Sequence, residues 1–167
     1  MYVADLQRAL TVIESGVDDP RHGLPEELFL FISRVTPLVN VDLLIQDEHG
    51  RTLLTWRDDE FHGAGWHVPG GIIRFKETAA DRIRACARQE LGVEVAFDET
   101  PIMVHESISA AVSRGHSIGL LFRCRLLGEP DGALQAMSDP PMVGQWRWHQ
   151  HRPADLLPVH HAYAGFF

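Results

Sequence analysis

Glu90 is the residue whose position most needs a chemical explanation. Ala80, Ile83, Ala87 and Leu91 mark one side of a helix expected over Thr78 to Leu91. At ~100° per residue, Glu90 falls about 20° outside that apolar arc. A carboxylate at the edge of a buried stripe needs a partner, either an arginine in an ion pair or a metal ion. Upstream, the polar stretch Arg57 to Gly65 runs into Trp66-His-Val-Pro-Gly-Gly71, a sharp backbone feature with the character of a functional loop. His67 can stack or hydrogen-bond within that loop. Glu77, near the helix start, is equally explained as a carboxylate favouring the positive end of the helix dipole.

The surrounding elements must hold these residues. Leu6, Leu10 and Ile13 have helical spacing within Asp5 to Ser15, and Pro25-Glu-Glu opens a second helix with Phe29, Ile32 and Val35 that Pro37 ends. Val39 to Gln46 and Arg51 to Trp56 read as strands around the turn Asp47-Glu-His-Gly50, which predicts that the two pair as a hairpin. A short strand follows at Ile72-Ile73. The helix to Leu91 is predicted to pack Ile83 and Ala87 on a sheet, with Gly92 as its stop. Val93 to Phe97, Ile102 to Ile108, Ser117 to Leu127 and Gln145 to Trp148 are further strands, and Gly128 to Pro141 is a loop. Helices interleaved with strands around a central helix predict an α/β sandwich with a mixed sheet.

The 167 residues suit one domain over 1–167, with an N-terminal helical segment (1–35), a core (36–150) and a C-terminal segment (151–167). Apolar residues at 45% and charged residues at 23% are ordinary for a globular chain. Asp5, Arg8 and Glu14 interrupt the first sixteen residues, so no signal peptide is expected, and no run reaches membrane-spanning length. The expected location is cytoplasmic. A formal net charge of −8 argues against binding a nucleic-acid backbone, so a phosphate ligand needs a local site. Cys86 and Cys124 are too few for a disulfide framework and are expected to be reduced and packed. Lys76 is the single lysine against fourteen arginines. Arginine forks suit phosphate, but codon bias explains the count as well.

The segment from Gly71 through Glu77 and Glu90 to Gly92-Val93 resembles the Nudix box. That pattern runs Gly, five residues, Glu, seven residues, Arg-Glu, an aliphatic, one residue, Glu-Glu, one residue, Gly, an aliphatic. Gly71, Glu77, Glu90, Gly92 and Val93 match, while Ala85, Cys86 and Gln89 stand where the family has Arg, Glu and Glu. The full box converges three carboxylates on one helix face, at i, i+3 and i+4, to hold hard cations. Here only Glu90 remains of the three, since sulfur is too soft for Mg²⁺ and an amide is neutral. The resemblance implies a Nudix-type α/β/α sandwich and favours a metal over an ion pair at Glu90.

Thr36-Pro-Leu-Val-Asn-Val-Asp42, Trp66-His-Val-Pro-Gly-Gly71 and Glu90-Leu-Gly92 further resemble the GDP-mannose mannosyl hydrolase branch. By that resemblance one Mg²⁺ is held by Glu90 and the Gly70 carbonyl, Asp42 and Arg57 lie near the substrate, and Arg74 supplies further positive charge. Glu90, with Glu77 as the other box carboxylate, is the catalytic candidate, and the branch hints at a homodimer. The chain departs from the branch at Met142-Val143, where a Gln and a His base are expected, and at Ile72 and Ala85, where arginines are. His105, His116 and Asp139 are candidates for the base, with His160 and His161 behind them. The expected reaction is hydrolysis of a nucleoside-diphosphate compound, a nucleotide sugar cleaved at its glycosyl C–O bond. The alternatives are attack on phosphorus, or a non-catalytic nucleotide-binding module.

Overall fold

The computed structural model describes residues 3–167, so the first two positions of the expected domain, Met1 and Tyr2, lie outside the described residues. Two helices come first, α1 (Val3–Ser15) and α2 (Glu26–Val35), followed by strands β1 (Leu38–Ile45), β2 (Thr52–Asp59), β3 (Gly63–His67) and β4 (Gly70–Ile72). Helix α3 (Ala79–Leu91) leads to β5 (Val95–Phe97), β6 (Met103–Ile108), β7 (His116–Leu126) and β8 (Trp146–His149), and the chain finishes in a 3₁₀ segment, Pro158–Phe166. No helix among the described residues is long and apolar enough to cross a membrane.

A five-stranded mixed sheet forms the centre, in the order β4-β1-β7-β5 with β6 also on β7; only β1 and β7 run parallel. The second sheet is antiparallel, β3-β2-β8. This is the α/β sandwich with a mixed sheet that the sequence predicts. The two faces of β1 serve different cores, as the period of two along a strand requires. Val41, Leu43 and Ile45 meet Ile83, Ala87 and Leu91 of α3, whereas Leu44 joins Trp66, Leu121 and Tyr163 in a second core.

The predicted β1–β2 hairpin does not form. The turn closes as expected, with the Asp47 N–H donating to the Arg51 carbonyl at 3.0 Å and Gly50 at φ 74°, but only Gln46 and Thr52 bridge the two chains. A strand has two edges, and β4 and β7 occupy both edges of β1. Strand β2 therefore leaves for the other sheet and pairs with β3 and β8. The hairpin lies one element later, within the stretch read as a polar loop: Arg57 faces Gly65 across β2 and β3. Asp59 Oδ1 closes that turn by accepting from the Phe61 and His62 N–H groups at 2.9 and 2.8 Å.

Helix α3 has clear ends. Thr78 Oγ1 accepts from the Asp81 N–H at 3.1 Å, and Gly92 takes the left-handed conformation at φ 67°. Ile83 and Ala87 are fully buried on the sheet. Helix α1, despite its apolar spacing, buries none of its residues. Ile83→Ala should cost about 2–5 kcal/mol in a urea titration, as deletion of a buried side chain leaves a cavity. A change below about 1 kcal/mol would show that α3 is not part of the core.

Candidate functional site

Three strands and a helix end converge on Glu90. Thr55 of β2 and His67 of β3 are register partners, and β4 starts at Gly70 opposite Asp42 of β1. From the last turn of α3, Glu90 Oε1 accepts from the Gly70 N–H at 3.0 Å and Oε2 from the Thr55 hydroxyl at 3.0 Å. His67 Nε2 stands 3.5 Å from Oε2. His67 Nδ1 lies 2.8 Å from the Thr55 carbonyl, which can only accept, so Nδ1 carries a proton. Burial pushes the Glu90 pKa up, but His67, the Gly70 N–H and the Thr55 hydroxyl together hold it below the usual carboxylate value. Glu90 is thus an ionised, half-buried carboxylate held by these donors.

A second carboxylate lies on the other face of β1. Asp42 is buried, accepts from the Tyr163 hydroxyl at 2.6 Å through Oδ2, and has His160 Nε2 at 3.8 Å from Oδ1. Burial pushes its carboxyl up to about 6, against the opposing pull of the Tyr163 hydrogen bond. Glycine is required on both sides. A Cβ at Gly70 would strike the Val41 carbonyl and lie 3.0 Å from Asp42 Oδ1, and one at Gly119 would strike the Tyr163 hydroxyl. His160 Nδ1 accepts from the Val68 N–H at 2.8 Å, so the neutral ring carries its proton on Nε2. Burial, reinforced by the neighbouring His67, keeps His160 well below the usual histidine value and therefore neutral.

A cavity of about 410 Å³ opens over this floor, lined among others by Asp42, Arg57, His62, His67, Gly70 and Arg114. Asp42, Arg57 and Gly70 of the sequence-derived set line it, and Glu90 touches Gly70 and His67 at its wall. Arg74 lies elsewhere, in a separate cavity with Phe29 and Ile32, and its Nη1 reaches the Arg21 carbonyl at 3.5 Å. Glu77 is also set apart. Its Oε2 accepts from the Arg74 N–H at 2.8 Å and from Arg82 Nε at 2.9 Å, fastening the β4–α3 loop to the first turns of α3.

The histidines that line the cavity are His62, His67 and His160. His116 bonds Glu106 at 3.0 Å, Asp139 takes Arg147 at 3.0 Å, and His161 bonds the Leu156 carbonyl at 3.0 Å. His105 stands beside the Tyr163 ring, 6.3 Å between centroids. The sequence alone places His160 behind His105, His116 and Asp139 and does not mark Tyr163, Thr55 or Arg114. Nothing in local spacing marks Tyr163, whose partner Asp42 is 121 residues away.

The donors available to a metal are few. Burial pushes the Cys86 thiol up to about 12, so it stays protonated, and Gln89 is exposed. Among the described residues no three His, Cys, Asp or Glu side chains converge as a metal-binding group. An ion beside Glu90 must therefore draw on backbone oxygens and water, which suits a hard, partly hydrated cation. Gly70 fits that need. The Leu43 N–H donates to the Pro69 carbonyl and the Ile73 N–H to the Val39 carbonyl, so the alternation of an antiparallel ladder turns the polar groups of Gly70 away from β1. Its N–H goes to Glu90, and its carbonyl points to the same side.

Comparison with known proteins agrees with this architecture. The family model described as NUDIX domain matches residues 36–167, which leaves out α1 and α2. The low-salt glycan biosynthesis protein Agl8 of Haloferax volcanii is 38% identical over 81 residues, 48% of this chain and 51% of that protein. The chain thus spans about half the length of this curated relative. A MutT NUDIX hydrolase from Burkholderia pseudomallei superimposes with a TM-score of 0.58 at 22% identity, covering 78% of this chain and 97% of that one. A NUDIX hydrolase from Nitrosomonas europaea gives 0.55 at 14% identity over 68% of this chain and 72% of its own. At these identities the structural likeness is one of fold. The family match takes in β1 to β8 and α3, every strand and the helix that carries Glu90, and the chain accordingly belongs to the NUDIX family of hydrolases.

Proposed function

We propose that this chain is a Mg²⁺-dependent hydrolase of a nucleoside-diphosphate compound, a nucleotide sugar of the GDP-mannose kind, and that it breaks the glycosyl C–O bond. The observation that carries this reading is the isolation of Glu90: one ionised carboxylate beside the off-ladder carbonyl of Gly70, at the wall of a cavity that also holds Arg57. Glu90 and the Gly70 carbonyl would hold the ion, which when bound supplies positive charge to neutralise the departing diphosphate. Arg57 adds charge from the cavity side, and Asp42 offers an acceptor for a ligand hydroxyl. The name of the Haloferax volcanii relative concerns glycan biosynthesis, which supports the sugar half of the substrate.

The choice of bond follows from what surrounds Glu90. Attack on phosphorus calls for water gripped close to the diphosphate by several carboxylates and their metals, and a protonated Cys86 and an exposed Gln89 cannot provide that. Substitution at the anomeric carbon asks less of the metal, which need only neutralise the leaving group while water approaches the sugar from the far side and passes its proton to a base outside the box.

Turnover of a nucleotide sugar in ¹⁸O-labelled water should place the label in the free sugar; label in a phosphate product refutes C–O cleavage. Glu90→Gln should cut Mg²⁺-dependent turnover about 100-fold or more and abolish the Mg²⁺-dependent rise in melting temperature expected of the natural chain with a diphosphate. The variant should stay folded, because an amide oxygen can still accept the Gly70 N–H. No turnover of any nucleotide sugar by folded protein with ample Mg²⁺ would sink the catalytic reading.

Asp42 gives a pH-resolved test. With its carboxyl at about 6, Asp42 is ionised at pH 8 and protonated at pH 5. Tyr163→Phe removes a donor that favours the ionised form, so the loss of stability should be larger at pH 8, about 1–3 kcal/mol for a buried acceptor left unpaired. Equal losses at both pH values in chemical denaturation would show that the hydroxyl does not bear on the charge of Asp42.

A further inference from the structure

Among the described residues, no carboxylate forms an ion pair with Arg114. This residue lies half-buried in the loop between β6 and β7, with its guanidinium carbon 4.6 Å from the Phe29 ring centre and 4.6 Å from that of Phe61. Two aromatic rings, one from α2 and one from the β2–β3 turn, thus hold a single guanidinium. Its Nε is buried without a hydrogen-bond partner among the described residues. Arg57, by contrast, leans toward Asp59 at 3.6 Å. Burial lowers the Arg114 pKa from its usual value; Asp59 and Glu60 oppose this from a distance and Arg57 adds to it. A guanidinium in this position is costly unless an anion answers it.

Its place shows where that anion would come from. Arg114 lines the 410 Å³ cavity and also a second one of about 380 Å³, and the two share His62, Ser117 and Val159. With Phe29 and Phe61 packed against it and Nε buried, the two Nη groups are the donors left to a ligand, a fork that matches phosphate oxygens.

We propose that Arg114, clamped by Phe29 and Phe61, is an anion-binding residue of this site and grips the ligand's diphosphate together with Arg57. This rests on the nucleoside-diphosphate reading above. It makes Phe29 a positioning residue, and Phe29 lies outside the stretch that the family model matches. The N-terminal helical segment then takes part in ligand binding through α2.

Calorimetric titration of the full chain with Mg²⁺ present tests this, using inorganic pyrophosphate and GDP as probes, with thermal melts to check folding. Arg114→Gln should weaken both probes about tenfold or more, as loss of a charge-assisted contact implies. Arg114→Lys keeps the charge but loses the fork, and should also bind pyrophosphate more weakly than the natural chain. Phe29→Leu should weaken pyrophosphate about threefold with little change in melting temperature, because it removes the aromatic face but keeps apolar bulk. Unchanged affinity in folded Arg114→Gln overturns the proposal while leaving the diphosphate reading intact. Should that variant fail to fold, equal affinity in Arg114→Lys overturns it instead, and unchanged affinity in Phe29→Leu removes the clamp. Pyrophosphate binding that depends on Arg114, without binding of GDP, upholds the anion site and refutes the nucleoside reading. Binding of neither probe by the natural chain overturns both.

Discussion

Strand β1 is used on every side, and most of the architecture follows from that. Its two edges are taken by β4 and β7, and its two faces by α3 and by the core that contains Tyr163. Because side chains alternate along a strand, the same five buried residues, Val41 to Ile45, feed both cores and leave one position, Asp42, for a polar group. The Tyr163 hydroxyl does most to make the carboxylate tolerable there, and the neighbouring His67 and Arg57 add to it. Saturation of both edges also sends β2 into a second sheet, and this brings Thr55 and His67 to the end of α3.

The two carboxylates are treated in opposite ways by their surroundings. Both are desolvated. Glu90 receives two close donors and faces the His67 ring, and the charged form wins; Asp42 has one close donor, and burial prevails enough to bring its titration near neutrality. The difference lies in how many N–H and O–H groups the backbone arrangement delivers. Gly70 is shared between the two. Its N–H serves Glu90, while its missing side chain lets β4 approach Asp42.

Local signals were legible in the sequence. The Gly92 stop and the apolar stripe of α3 are short-range chemistry, and the placement of Glu90 at the edge of that stripe follows from helix geometry alone. Most strand spans were readable from β-branched and apolar runs. Pairing was not, because a turn such as Asp47 to Gly50 fixes a change of direction but says nothing about whether the edges beyond it are free. His160, Tyr163 and Arg114 were hidden for a related reason. Each acts through a partner far away in the chain, and Arg114 draws its meaning from two phenylalanines that read as ordinary apolar residues.

The hydrogen bond between Tyr163 and Asp42 spans 121 residues. Loop closure over that length must precede the contact that makes Asp42 acceptable in the interior, so topology of this kind folds slowly. During synthesis the N-terminal part emerges first, and β1 then waits with a bare carboxylate in the middle of its most apolar run. A charge within an apolar strand is the kind of feature that disfavours edge-to-edge pairing, and it stands there before β7 comes to cover that edge. Once folded, the same residue forms part of the cavity wall.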